Sequence, residues 1–262
     1  MSGARALVTN DDGIDSPGLL ELAIAAREAG LDVVVAAPAS EASGSSASIT
    51  AVERDGKIAL ERHALDGLDG VPVFAVQAAP ALIVLIAMHE AFGTAPQLVL
   101  SGINRGANVG RAIFHSGTVG AALTAGVNGA RGLAVSMQVL PDTVEPRWRA
   151  ARTVVGGIIP LLLEAPAQTV LNLNVPELDG DVGPEYRMAT LAPFGIVQTT
   201  MTEQDRHLIL LSVADPAGDP PVGSDAELLA AGFATVTAIE SVHEARDPAM
   251  ADHFAQARNP AG

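Results

Sequence analysis

Residues 5–18 read Arg5-Ala6-Leu7-Val8-Thr9-Asn10-Asp11-Asp12-Gly13-Ile14-Asp15-Ser16-Pro17-Gly18, and their reading decides the fold. Arg5 to Thr9 is a short apolar strand, followed by a polar turn. Ser16 is suited to cap a helix and Pro17 to fill its first position. Leu19, Leu20, Leu22, Ile24 and Ala25 give that helix its apolar content, and Gly30 is placed to end it. Leu31 to Ala37 is then a second, nearly continuous apolar strand. The whole is a βαβ unit.

The same alternation continues outward from that unit. Leu98–Leu100, Leu133–Ser136 and Thr169–Leu173 read as strands, with helices near Pro80–Phe92, Val119–Val127 and Arg147–Glu164. Near-continuous apolar strands belong to parallel sheets covered by helices on both faces. The expectation for residues 1–180 is therefore a Rossmann-like, doubly wound, mostly parallel α/β sheet. After Pro176 the pattern changes. Tyr186–Ala192 and His207–Val213 read as the strands of an appended β-hairpin, followed by Pro216 to Pro221 and a final helix-strand-helix portion. Residues 181–262 are thus expected to form an appended hairpin and a C-terminal tail.

Composition narrows the function. A chain of 262 residues, 48% hydrophobic and 17% charged, has enough apolar material for a substantial core. Its net charge of −15 supplies no basic field for a nucleic-acid polymer, which is bound chiefly through Lys and Arg against phosphates. Lys57 is the only lysine, so a cationic contact to a phosphate falls to arginine, and Arg105 and Arg111 stand nearest the polar segments. With no cysteine, a metal would need oxygen or imidazole ligands. The opening residues lack the apolar core of a secretory signal, and the longest apolar run, Ala81 to Met88, is too short to span a bilayer. The expectation is a cytoplasmic protein without a membrane partner.

Four polar segments could carry chemistry. Asn10 to Gly18 lies between the first strand and the first helix, where open α/β sheets bind ligands. Adjacent carboxylates there suit a hard cation such as Mg²⁺, Mn²⁺ or Ca²⁺, and equally suit a solvated Asx turn. Ser101-Gly102-Ile103-Asn104-Arg105-Gly106-Ala107-Asn108-Val109-Gly110 also follows a strand. Its glycines permit tight turns and close approach of a ligand, yet it is neither a Walker loop nor a dinucleotide fingerprint. His115-Ser116-Gly117-Thr118-Val119 opens a helix, whose N–H groups would face an anion or simply be capped by Ser116. Pro38 to Ser46 is a small-residue loop whose serines are indistinguishable by composition.

Taken in order, these segments resemble the SurE family: Asn10-Asp11-Asp12-Gly13 with Pro17-Gly18, Ala37-Pro38 before Ser43-Gly44, Ser101 to Gly110, Ser116-Gly117-Thr118-Val119, and Asn172 to Pro176. Beyond Pro176 the likeness rests on Gly223-Ser224-Asp225 and Gly232-Phe233. The resemblance implies a metal-dependent phosphatase acting on nucleoside 5′- or 3′-monophosphates or similar small phosphate esters. It implies one divalent cation, Mg²⁺ or Mn²⁺, held by Asp11, Asp12, Ser43 and Asn104. Asp11, Asp12 and Asn104 would be catalytic, while Asn104, Asn108, Ser116, Gly117 and Thr118 would hold phosphate. It further implies a homodimer or tetramer assembled through the hairpin.

Three departures from the family pattern stand out. Ala39 and Ala42 replace an acidic and a basic residue, Ala78 to Ile83 replaces a polar segment, and Thr124 stands where an acidic residue is usual. These differences leave room for two other readings, a ligand-binding protein that retains the fold without turnover and a metal-dependent nucleotide-sugar transferase.

Overall fold

The computed structural model describes residues 3–140, 142–178, 183–193, 198–204, 209–214, 219–242 and 244. Its first half contains β1 (Arg5–Thr9), α1 (Pro17–Glu28), β2 (Asp32–Pro38), β3 (Glu53–Arg54), β4 (Lys57–Ile58), β5 (Leu60–His63), β6 (Val73–Val76), α2 (Pro80–Met88) and β7 (Leu98–Arg105). A 3₁₀ segment (Gly110–His115), α3 (Gly117–Val127), β8 (Arg131–Met137), α4 (Trp148–Glu164) and β9 (Val170–Val175) follow. The remainder holds β10 (Tyr186–Met188), β11 (Gln198–Gln204), β12 (Ile209–Ala214), α5 (Asp225–Ala230) and β13 (Ala234–Ile239).

Nine strands form one sheet in the order β10-β13-β9-β8-β7-β1-β2-β6-β5. The run from β9 to β6 is parallel. Alternation along β1 assigns its two faces: Ala6 and Val8 pack in the core with Leu19, Leu22, Val155 and Ile159 of α1 and α4, while Leu7 packs with Ile83 and Val84 of α2 and Ala121 and Ala125 of α3. Helices on both faces make the sheet doubly wound, as expected.

The chain leaves β1 through α1 toward β2 on one side, then returns through α2 to place β7 on the other side of β1. That reversal creates a switch point between β1 and β7, and a crevice opens beyond their carboxyl ends. Asp11, Asp12 and Asn104 lie at this place because Asn10 follows β1 and Asn104 is near the end of β7.

The second part of the chain needs a correction. Tyr186–Ala192 is not half of the hairpin: Tyr186–Met188 pairs in parallel with Ala234–Val236 at the edge of the main sheet. The hairpin is β11 against β12, a separate two-stranded sheet. Its first strand, Gln-Thr-Thr-Met-Thr-Glu-Gln, is polar, so a search for apolar runs passes over it although threonine favours extended backbone. β13 pairs antiparallel with β9, so residues on both sides of position 180 contribute strands to one sheet. The helix expected near the chain's end falls outside the described residues. The short strands β5 and β6 were not anticipated either: each has only four residues, and Leu60–His63 is exposed throughout.

Candidate active site

Asp11, Asp12, Glu41, Ser43, Gly44, Asn104, Arg105, Asn108, Ala112, His115 and Ser116 line a cavity of about 480 Å³ at the switch point. A larger recess of about 710 Å³ lies around Thr143, Trp148 and Glu177. The smaller cavity is the candidate site because it alone gathers the paired carboxylates with amide and hydroxyl oxygens.

Asp11 is 5% exposed and is held from behind by helix α3. The Thr118 hydroxyl donates to Asp11 Oδ1, and the Thr118 backbone N–H donates to Oδ2 at 3.1 Å. Burial raises the Asp11 pKa, and these donors together with the Gly117 N–H oppose the rise. The positive end of α3 therefore faces an anion, as anticipated, but that anion is the protein's own carboxylate. Thr118 is fully buried behind Asp11 and does not reach the cavity. Gly117 is required by the packing: a Cβ there would lie 2.5 Å from Ser45 Oγ and 2.7 Å from Asp11 Oδ2. Ser116 caps α3 by accepting from the Val119 N–H at 3.1 Å and lines the cavity.

Asp12 is less protected. Its Oδ2 accepts the Arg105 backbone N–H at 3.4 Å. Burial first, then the charges of Asp11 and Glu41, push its pKa up to about 6, with Arg105 opposing. Two neighbouring carboxylates with raised proton affinity mark a place where positive charge is wanting. Ile14 N–H to Pro38 O at 2.8 Å and Ala42 N–H to Asp11 O at 2.7 Å tie this turn to the loop after β2.

Asn104 sits beyond an irregularity in the pairing of β7 with β8, between Ser101 and Asn104, which re-aims the end of β7. Its Nδ2 donates to Gly106 O at 2.8 Å, leaving Oδ1 as the outward acceptor. Asn108 is held on three sides. Its N–H donates to Asn174 Oδ1 at 2.7 Å, its carbonyl accepts from Asn172 and Asn174, and its Nδ2 donates to Ser136 Oγ at 2.8 Å. One of its two side-chain N–H donors is therefore taken by Ser136, and Asn108 still lines the cavity. On the loop wall, Ser43 Oγ donates to Glu41 Oε1 at 2.7 Å, which keeps its lone pairs available.

The residues proposed to hold a cation are thus two carboxylates, one amide oxygen and one hydroxyl, an all-oxygen set suited to a hard divalent ion. Among the described residues no group of three or more His, Cys, Asp or Glu gathers at one point. Any metal here depends on the neutral donors of Asn104 and Ser43 and on oxygen from solvent or substrate.

Three groups escaped the sequence reading. Glu41 lines the cavity although nothing in a Ser-Glu-Ala tripeptide marks it. Asn172 and Asn174 belong to a recognised motif, and their separation by two places puts both amides on one side of β9, where they hold Asn108. Asp225 is fully buried, and its carboxylate accepts from Gly110 N–H at 2.7 Å and Ala192 N–H at 2.9 Å. Among the anticipated residues, His115 lines the cavity, whereas Arg111 does not. Thr124 is turned to Gly120 O within α3, and Ala78 to Ile83 packs in apolar surroundings.

Comparison with known proteins identifies the family and the fold. Residues 6–203 match the family described as "Survival protein SurE". A protein named 5′-nucleotidase SurE from Xanthomonas euvesicatoria pv. vesicatoria is 31% identical over 239 residues, covering 90% of this chain and 89% of the relative. Another of that name from Methanopyrus kandleri is 34% identical over 252 residues, covering 89% and 90%. In architecture, the crystal structure of the SurE protein from Aquifex aeolicus superimposes with a TM-score of 0.76 at 24% identity, covering 96% of this chain and 99% of the other. The chain belongs to the SurE family.

Proposed function

We infer that this chain is a metal-dependent phosphoric monoester hydrolase acting on nucleoside 5′-monophosphates. The observation that carries the reading is the pair Asp11 and Asp12 in one switch-point cavity, both with raised proton affinity. Family membership supports it, since the relatives are named as 5′-nucleotidases. The same names weigh against the sugar-transferase and non-catalytic alternatives.

Asp11, Asp12, Asn104 and Ser43 are the residues we assign to one divalent cation, Mg²⁺ or Mn²⁺. When bound, the cation supplies positive charge to a phosphoryl group and lowers the pKa of water. Thr118 fixes the orientation of Asp11, and the Asn172–Asn174 pair fixes the segment carrying Asn108. The Ser116 N-cap sets one wall of the phosphate's berth. His115, exposed on the cavity wall, is placed to pass a proton to the leaving alcohol. Positioning and charge stabilisation then account for most of the acceleration, as in phosphoryl transfer generally.

A homodimer or tetramer built through β11 and β12 is part of the proposal. Among the described residues these strands pair only with each other, and an isolated two-stranded ribbon is marginal in water. No described helix is long and apolar enough to cross a membrane.

The test is phosphate release from nucleoside 5′- and 3′-monophosphates and simple esters with Mg²⁺, Mn²⁺ or chelator. Turnover that disappears with chelator and returns with metal is the expected result. Folded protein without turnover under every condition would overturn the reading.

A further inference from the structure

We propose that Arg105 is the receptor for substrate charge at this site, its guanidinium binding phosphoryl oxygens and favouring dianionic monoesters. The inference rests on the phosphatase reading and deepens it.

The cavity is strongly acidic. Asp11, Asp12 and Glu41 all line it, and Arg105 is the one Arg or Lys among its lining residues. A single divalent cation does not neutralise three carboxylates, so a dianionic phosphate enters against a residual negative field unless another cation faces it.

The other wall elements offer no free cation. The first N–H groups of α3 serve Asp11. The loop wall, Ala39-Ser40-Glu41-Ala42-Ser43-Gly44, contains no basic residue. Arg105 remains, and its placement fits the role. It ends β7 directly after Asn104, and its backbone N–H donates to Asp12, so its origin is fixed relative to the paired carboxylates. Its side chain is anchored by one bond, Nη2 to Thr143 O at 3.2 Å. Among the described residues the guanidinium makes no other hydrogen bond and no ion pair within contact distance, although its charge acts on Asp12 from further off. Exposed at the mouth, it presents a preset fork of the kind that matches phosphate geometry.

The competing reading is that Arg105 merely pins the segment around Thr143. Arg105→Gln separates the two, because glutamine retains a donor for Thr143 O without the charge, and Arg105→Lys restores charge without the fork. The experiment compares wild type with Arg105→Ala, Arg105→Gln and Arg105→Lys. It measures kcat and KM for a nucleoside 5′-monophosphate at low and high NaCl, binding of inorganic phosphate to Mn²⁺-loaded protein by calorimetry, and the melting midpoint.

Both neutral variants are expected to raise KM and weaken phosphate binding about tenfold or more. They should change kcat less and flatten the dependence of KM on salt, and lysine should recover much of that dependence. If Arg105→Gln leaves KM, phosphate binding and salt dependence within about twofold of wild type, the inference is wrong and Arg105 is a structural pin. If wild type shows no turnover yet binds phosphate in an Arg105-dependent way, the phosphatase reading fails while the charge receptor stands.

Discussion

The two walls of the candidate site are built on opposite principles. The wall formed by β1, β7, β9 and α3 is buried and cross-bonded: Thr118 grips Asp11, and Ser136, Asn172 and Asn174 grip Asn108. The facing wall, residues 39–46, is exposed or half-buried throughout, and its one side-chain bond directed into the cavity region joins Ser43 to Glu41. The buried wall thus fixes Asp11 and the Asn108 segment before anything binds, whereas the loop is tied mainly through its backbone and leaves its side chains to solvent.

The strongest challenge to that contrast is Asp12→Ala. Removing a proposed metal carboxylate should lower kcat about a thousandfold in the presence of Mn²⁺. The metal-free melting midpoint at pH 7 should hold or rise, because an ionised carboxylate that burial disfavours has been removed. Steady-state kinetics and calorimetry check both parts.

Gly117→Ala tests the buried wall by sterics alone. Its Cβ would intrude on Asp11 Oδ2 and Ser45 Oγ, so we expect about a hundredfold loss of activity and a loss of about 1–3 kcal/mol in stability by denaturant unfolding. Asn174→Ala should cost about 2 kcal/mol and reduce kcat roughly tenfold, since it leaves the Asn108 N–H without its partner.

Protonation sharpens the picture further. The folded pKa of Asp12, about 6, lies above its ordinary value, and that of Asp11 is raised in the same direction. The folded metal-free protein therefore binds more protons than the unfolded chain between about pH 4 and pH 6, and its stability falls as pH rises through that window. Metal affinity should move the opposite way, growing by about tenfold per pH unit for each proton displaced below pH 6. Titration of Mn²⁺ across that range, paired with metal-free melting curves, gives both slopes.

Ser43→Ala should have the smallest effect, a rise of a few fold in the metal dissociation constant and a comparable loss of kcat/KM. If it proved as damaging as Gly117→Ala, the loop would be as preorganised as the buried wall and the contrast would collapse.

Much of this architecture was legible in residues 5–37, because a helix opened by Pro17 between two apolar runs admits few arrangements, although the Ser16 side chain forms no cap bond in α1. Asp11, Asp12 and Asn104 were legible for a related reason: polar residues at or just past the end of a parallel strand are brought to the sheet's carboxyl edge. Thr118 and Asn108 show where that reasoning stops. Both occur in motifs that suggest phosphate contact, yet the Thr118 hydroxyl serves Asp11 and one Asn108 amide donor serves Ser136, partners that only three-dimensional packing reveals. The hairpin's polar β11 and the edge strand β10 were misassigned because neither has an apolar period, and their pairing depends on residues far along the chain.

Asp225 carries a consequence for the order of events during synthesis. Gly110 closes the segment that begins with Asn104, and its N–H finds an acceptor only in a carboxylate 115 residues downstream. A nascent chain that has delivered β1 to β9 has most of its sheet but cannot yet seat this turn. Seating of the turn at Gly110 therefore waits until Asp225 has left the ribosome, however early the strands before it have paired.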